Sequence, residues 1–362
     1  MEKVSVYIHI PFCRHICAYC DFPKMLYNEE YSHKYLEALR EEILDFYEKE
    51  KVKTLYIGGG TPSILNDEDK KLLKEIVKIF DLDDDYEFTY ECNINDIDIN
   101  LLVFLNEIKV NRLSIGVQSF IPEKLDFLKR KTEYEETFER IKLAREYGFT
   151  NINVDLMYAL PNEKLKTLKK DISMLLKLNV EHISTYSLII EPHTVTYIND
   201  EENPADEEEV AMYEYIVKKL TKSGYNHYEI SNFSKKGFES KHNLNYWYNN
   251  EFYGFGLGAT GYIKGVRYEN TRSLEDYLNG KIKLKENLIS NNEMMENELI
   301  LGLRLTKGVN IKEFYKKYKV NIQEVFPVNP LVRNKELIYK DGYIYLNPKY
   351  TYVLNEILLK LI

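Results

Sequence analysis

The chain has 362 residues, a formal net charge of −9 and 44% hydrophobic residues. The length suggests roughly two domains or one large α/β domain with an appendage, and the apolar share suffices for a packed core. The acidic balance disfavours a nucleic-acid partner, which would want a basic surface, and no run of eighteen apolar residues offers a membrane-spanning helix.

Strand-like and helix-like runs alternate along the first 230 residues. Residues 4–10 are apolar and β-branched, and 30–47 place Tyr35, Leu39, Ile43 and Phe46 at helical spacing. A short strand over 54–57 ends in Gly58-Gly59-Gly60, and 67–80 open with acidic residues, as a helix dipole prefers. Strands are expected over 86–90, 112–117, 151–156 and 182–189. Between and after them, helices are expected over 99–107, 134–147, 165–178 and 207–223. Gly148 and Gly224 close two of these. Six strand–helix units in series imply parallel strands with right-handed crossovers. Six are too few for a closed eight-stranded barrel. The expected fold is therefore α/β, a partial (β/α)6 TIM-type barrel over 1–233, with an open doubly wound sheet as the alternative.

Beyond that, 234–290 is an irregular connecting segment with the only tryptophan, Trp247, and the glycine-rich stretch Gly254–Gly258. Helices over 293–305, 311–318 and 352–361, and a hairpin over 337–346 around Asp341-Gly342, make 291–362 a small winged-helix-like α+β module. Its sequence is not strongly basic, which argues against DNA binding.

Three of the four cysteines, Cys13, Cys17 and Cys20, fall within eight residues. A four-iron cluster normally takes four cysteine ligands, so three would leave one iron open to a small molecule. A zinc site completed by His9 or His15 is the competing reading. A disulfide framework fits a small chain in an oxidising compartment better than this one. The fourth cysteine, Cys92, follows Glu91 in a strand and so points to the opposite face, towards the interior packing.

The other polar and glycine-rich oddities fall at expected strand ends, where such barrels gather their chemistry. Gly58-Gly59-Gly60-Thr61-Pro62 lets backbone approach a ligand closely, and its N–H groups could hold a carboxylate. Glu91 could accept an ammonium. Arg130 could clamp a carboxylate through its planar fork, and Asp155 a ribose hydroxyl. His242 is a candidate iron ligand, although a lone histidine is more often a hydrogen-bonded core residue.

Together, several stretches resemble the radical S-adenosylmethionine superfamily. They are Tyr7-Ile8-His9-Ile10-Pro11-Phe12-Cys13 with the Cys-x₃-Cys-x₂-Cys spacing, Gly-Gly-Gly-Thr-Pro, Glu91-Cys92-Asn93, residues 112–120, 153–157 and 186–192, and Tyr228-Glu229-Ile230-Ser231-Asn232-Phe233. Within it the chain is similar to the oxygen-independent coproporphyrinogen III oxidase group, and most to its haem-chaperone subgroup. The oxidases carry a further cysteine where this chain has Phe22, and His242-Asn243-x-x-Tyr246-Trp247 matches the subgroup's haem-associated signature. The resemblance implies a [4Fe–4S] cluster on Cys13, Cys17 and Cys20. S-adenosylmethionine would be contacted by Tyr7, Tyr19, Gly59, Gly60, Thr61, Glu91, Gln118, Arg130 and Asp155, with Ile189 and Thr260 as apolar bounds, and haem would be held at His242. The subgroup usually has histidine at position 260, and glycine and histidine within 128–132, so this chain departs there. Implied partners are haem, apo-haemoproteins and an electron donor for the cluster. The expected location is cytoplasmic. Peripheral membrane contact and a homodimer stay open, as does oxidative decarboxylation of coproporphyrinogen III as the alternative activity.

Overall fold

The computed structural model describes residues 3–362. Six parallel strands stand side by side in chain order: β1 (Lys3–Ile10), β2 (Lys51–Gly59), β3 (Leu82–Asn93), β4 (Arg112–Gln118), β5 (Ile152–Tyr158) and β6 (His182–Ser187). Helices α1 (Glu29–Phe46), α2 (Asp67–Val77), α3 (Ile99–Glu107), α4 (Tyr134–Glu146) and α5 (Leu165–Lys177) make the crossovers, and α6 (Asp206–Lys222) follows β6. Asn28, Asn66 and Asp98 accept backbone N–H bonds at the starts of α1, α2 and α3, satisfying donors that a helix leaves unpaired. This is the partial α/β barrel expected from the alternation of elements.

The strands divide their side chains cleanly by period two. On β1, Val4, Val6, Ile8 and Ile10 are buried in the apolar layer shared with the helices. Ser5, Tyr7 and His9 alternate with them and face the barrel interior. The same rule puts Leu55 and Ile57, Phe88 and Tyr90, Leu113 and Ile115, and Val154 and Leu156 outward. Inward go Thr54, Glu87, Thr89, Arg112, Ser114, Asn153, His182 and Ser184, all buried.

The segment over 234–290 holds more order than the sequence suggests. Short strands β7 (Asn226–His227) and β8 (Asn232–Ser234) close one edge, with β8 antiparallel to β6. Helix α7 (Lys241–Trp247) follows. Strand β9 (Phe252–Phe255) then pairs in parallel with β1 and starts an antiparallel run through β10 (Thr260–Ile263), β11 (Val266–Asn270) and β12 (Lys283–Leu288). The result is one twelve-stranded sheet, β12-β11-β10-β9-β1-β2-β3-β4-β5-β6-β8-β7. Tyr253, Phe255, Leu257 and Tyr277 of this segment belong to the same apolar core as the barrel.

From helix α8 (Asn291–Gly302), opened by a Ser290–Glu293 capping box, a second apolar core forms around Leu299, Phe314, Ile322, Leu337 and Ile344. It includes a three-stranded sheet of Val309–Asn310, Leu337–Lys340 and Tyr343–Leu346. The two cores are joined where Ile230 N donates to Arg304 O at 3.2 Å and Thr306 N to Tyr228 O at 3.1 Å.

The loop after β4 is held by a buried ion cluster. Lys124 Nζ lies 2.8 Å from Glu163 Oε1, from Asp171 Oδ2 and from the Met157 carbonyl. Asp171 also accepts from Ser119 Oγ at 2.8 Å and from Phe120 N at 2.7 Å. Removing one member of such a cluster leaves uncompensated charge in the interior. Lys124→Met is expected to cost about 3–5 kcal/mol of folding stability, read from the midpoint of urea unfolding. A midpoint within error of the parent would show that the cluster is dispensable.

Candidate cofactor site

The mouth of the barrel is built by the chain leaving β1. Phe12–Cys13 pairs in parallel with Met25–Leu26, so the intervening segment folds back as a closed loop bearing Cys17 and Cys20. Gly60 N donates to Ile10 O at 2.7 Å and Thr61 N to Phe12 O at 2.8 Å, stitching this loop to the end of β2. A Cβ on Gly60 would sit 2.7 Å from the Phe12 carbonyl oxygen, and Gly59 adopts φ +116° with the His9 ring against its α-carbon; both positions need glycine. The N–H groups of Gly59, Gly60 and Thr61 are therefore not free to grip a ligand's carboxylate, a correction to the sequence reading. They donate instead to Glu91, Ile10 and Phe12, and the glycines serve close packing.

A cavity of about 470 Å³ opens over these strand ends. Cys13, Cys17, Cys20, Tyr19, Gly59, Gly60, Thr61, Glu91, Gln118, Arg130, Asp155 and Ile189 all line it. Its four cysteine thiols include no disulfide. Cys13 accepts from Thr61 Oγ1 at 3.7 Å, and burial raises the thiol pKa values of Cys13 and Cys20. Among the described residues, no three His, Cys, Asp or Glu converge as ligands of a single ion. A four-iron cluster makes a different demand, since each cysteine takes its own iron. His9 is no ligand for a lone metal: its Nε2 is 2.7 Å from the Pro23 carbonyl and its Nδ1 3.0 Å from Tyr7 OH. Cys92 touches the cavity's edge but is buried in the outer apolar core.

Opposite the thiols, Glu91 accepts from Tyr56 OH at 2.6 Å and from Gly59 N at 3.0 Å. Enclosure nevertheless pushes its pKa up to about 7, Tyr56 and Gly59 opposing the shift and the Asp155 charge adding to it. Asp155 is also raised by burial, and it accepts from Asn153 Nδ2 at 2.7 Å. Arg130 Nη2 reaches Tyr19 OH at 3.3 Å and Nη1 the Gly116 carbonyl at 3.4 Å, while its buried Nε has no partner. Gln118 is held at φ +73°, a left-handed conformation that non-glycine residues rarely adopt and that tends to collect at functional sites. The free thiols, the unspent Arg130 donor and the Glu91 carboxylate suit a cluster carrying a zwitterionic amino-acid ligand.

Three sequence-based assignments do not meet at this cavity. Tyr7 lies beneath its floor, its ring 5.9 Å from that of Tyr56 and 6.5 Å from that of His242. Thr260 sits on β10 and lines a different cavity, because β10 lies two strands away from the open edge of β1. His242 is 1% exposed and both ring nitrogens are engaged, Nδ1 with Thr54 Oγ1 at 2.8 Å and Nε2 with Tyr246 OH at 2.7 Å. It plugs the barrel's lower end, where burial pushes its pKa down to about 3. Sequence reasoning missed Tyr56, Arg112, Ser114, Asn153 and Ser184 in the wall. Their signal was the run of polar residues at alternate positions of the inner strands.

The family resemblance is general across the chain. The sequence model described as Radical SAM superfamily matches residues 7–175, and that described as HemN C-terminal domain matches 289–349. A partial barrel with three cysteines at its mouth and this appended module is the architecture of that class. "Heme chaperone HemW" of Lactococcus lactis is 40% identical over 348 residues, covering 93% of this chain and 91% of the relative. The Bacillus subtilis protein of the same name is 42% identical over 337 residues, 89% of each. The chain belongs to the HemW family of the radical SAM superfamily, which implies a [4Fe–4S] cluster and S-adenosylmethionine. The fold is shared with the coproporphyrinogen III oxidase (HemN) of Escherichia coli, with a TM-score of 0.85 and 21% identity over 99% of this chain and 89% of that one. No helix among the described residues is long and apolar enough to cross a membrane.

The raised Glu91 pKa makes folding stability depend on pH. A Glu91 that holds its proton to about pH 7, well above the usual carboxylate range, favours folding below its unfolded pKa. That contribution fades as pH rises through 7, because the folded state then gives up a proton it held more tightly than the unfolded chain. Glu91→Gln is expected to remove this slope. The stability of wild type minus variant should fall by on the order of 3 kcal/mol between about pH 4.5 and pH 8, measured by denaturant unfolding at stepped pH. A flat difference would place Glu91 in a more watery setting.

Proposed function

We propose that this protein is a haem chaperone, binding haem for transfer to apo-haemoproteins and carrying a [4Fe–4S] cluster with S-adenosylmethionine at the barrel mouth. The observation that carries the reading is the identity of 40% and 42% to two proteins named heme chaperone, each aligned over nearly the full length of both partners. Phe22 supports it: the oxidases that the chain resembles carry a cysteine there, and this side chain is 66% exposed beside the cysteine loop.

Cys13, Cys17 and Cys20 would hold the cluster, leaving one iron for the amino-acid end of S-adenosylmethionine. When bound, the cluster would supply one electron for breaking a carbon–sulfur bond of that ligand, chemistry that belongs to the cofactor and requires a donor. The chain's part is orientation. Glu91, steadied by Tyr56 and Gly59, would take the ammonium. Arg130 would turn its spare Nε–H and fork towards a carboxylate, and Asp155 towards ribose hydroxyls. Gln118 would pack alongside, and Ile189, 64% exposed at the rim, would cover the adenosyl group. An ammonium beside Glu91 would favour its ionised form, so binding should take up less free energy in deprotonation as pH rises past 7.

Two measurements test this reading. Protein reconstituted anaerobically with iron and sulfide should show cluster absorption, which a Cys13/Cys17/Cys20→Ala variant should lack; Glu91→Gln should keep the cluster but weaken S-adenosylmethionine roughly tenfold or more, the scale on which oriented charge partners act. The wild-type protein should take up haemin and should convert little coproporphyrinogen when given S-adenosylmethionine and a reductant. Efficient formation of protoporphyrinogen would instead make it an oxidase.

A further inference from the structure

Asp155 stands at the end of a line of hydrogen bonds that runs through the barrel wall behind the cavity. The line starts where α7 begins. Ser240 N donates to Tyr228 OH at 3.3 Å, and Tyr228 OH lies 2.7 Å from His182 Nε2. On β6, His182 Nδ1 lies 2.6 Å from Asn153 Oδ1 of β5, and Asn153 Nδ2 donates to Asp155 Oδ1 at 2.7 Å. His182 is fully buried and Asn153 is 1% exposed. Only the last two members, Asn153 and Asp155, line the cavity.

The line has one direction. Asn153 turns its NH2 to a carboxylate, so its carbonyl oxygen faces His182, and His182 Nδ1 carries the ring proton. Nε2 is then an acceptor, and the Tyr228 hydroxyl donates to it. The Tyr228 oxygen in turn accepts from Ser240 N–H. Bonds aligned head to tail in this way reinforce one another. Burial pushes the His182 pKa well below its usual value, and the Arg112 charge adds to the shift, so the ring stays neutral in this one tautomer.

The other neighbours of the Asn153 amide do not impose a direction. Ser184 Oγ is 3.0 Å from its Oδ1 and Ser114 Oγ 2.9 Å from its Nδ2, and a hydroxyl turns to donate or accept as required. The imidazole N–H is the one fixed donor on the Asn153 carbonyl. Turned over, the amide would set its NH2 against that N–H and its carbonyl against Asp155. Held upright, it keeps Asp155 an acceptor, the form that a pair of ligand hydroxyls needs.

Resting on the reading of Asp155 as the ribose contact, we propose that His182 is a positioning residue for the ribose of S-adenosylmethionine: through Asn153 it holds the Asp155 carboxylate ready to accept from the ligand's hydroxyls. Tyr228 selects the tautomer that does so. Neither side chain touches the ligand.

The test compares S-adenosylmethionine with its 2′,3′-dideoxy analogue, by equilibrium dialysis against the anaerobically reconstituted, cluster-bearing protein. The ratio of the two affinities reads the hydroxyl contact alone. His182→Leu should lower that ratio roughly three- to tenfold, the scale of one hydrogen bond, by weakening S-adenosylmethionine while the analogue binds as before. His182→Asn, whose NH2 can take the place of Nδ1–H, should restore the wild-type ratio. Tyr228→Phe is the gentler change: it releases the tautomer and should lower the ratio with cluster content unchanged, and it decides the matter if His182→Leu does not fold. In an Asp155→Asn background, removing the His182 ring should change the ratio no further. Equal weakening of both ligands by the two variants, as a merely structural role would give, overturns the proposal, and so does a wild-type ratio in both. A wild-type protein that binds the two ligands equally removes the ribose assignment of Asp155 itself, a different failure.

Discussion

A buried guanidinium organises the barrel. Arg112 is 2% exposed, the largest of the fully enclosed side chains, and it stands on the inner face of β4. Around it the strands present polar groups at every level, from Ser5, Thr54 and Glu87 below to Glu91 and Asp155 above. A TIM-type interior is ordinarily packed with branched apolar side chains. Here the interior is a polar column, and such a column is tolerable only if its members satisfy one another. They do so in rows. Asn153 accepts from Ser184 Oγ at 3.0 Å and lies 2.6 Å from His182 Nδ1, whose Nε2 is 2.7 Å from Tyr228 OH. Thr89 Oγ1 takes Arg112 Nη1 at 3.4 Å.

The column also explains α7. An open, polar barrel floor would let water rise to the cofactor site. The N-terminus of α7 caps the floor instead: the backbone N–H groups of Lys241 and His242 both donate to the Glu87 carboxylate, each at 3.0 Å. A carboxylate at a helix start is stabilised by the dipole and by the unpaired N–H donors there. The same arrangement drives His242 inward against Tyr7 and Tyr56, with the Tyr246 hydroxyl held on its ring. A histidine that the sequence offers as a candidate iron ligand, or as a hydrogen-bonded core residue, is thereby committed to closing the barrel.

How legible this was depended on whether each feature is local. The six barrel strands were visible because their outward faces repeat Val, Ile and Leu at alternate positions. Helix α3 matches the expected span residue for residue, since Asp98 caps a compact apolar run. The residues at strand ends collected at one mouth as the alternation implied. What failed was non-local. Strands β9–β12 are short and interrupted by Gly254, Gly256, Gly258 and Gly261, so no period shows until β1 offers an edge to pair with. The partners of the Gly60 and Thr61 N–H groups, Ile10 and Phe12, lie some fifty residues upstream. Thr260 was placed by likeness to other chains, and nothing in its own neighbourhood could reveal that its strand lies outside the barrel.

The two cavities are near neighbours through a single wall. Glu91 holds Tyr56 OH at 2.6 Å, the Tyr56 ring lies 5.0 Å from the His242 ring, and His242 holds Tyr246 OH at 2.7 Å. Every link is a close contact between polar or aromatic groups sealed from water, and each end opens on a different cavity. Glu91 and the Tyr56 hydroxyl share one hydrogen bond, and the packed rings join that pair to His242 and the phenol it holds. Coupling needs differential contacts at both ends rather than mere proximity; the structure itself shows the contiguous wall. The wall is a continuous line of packed polar and aromatic groups running from the Glu91 carboxylate through Tyr56 and His242 to Tyr246.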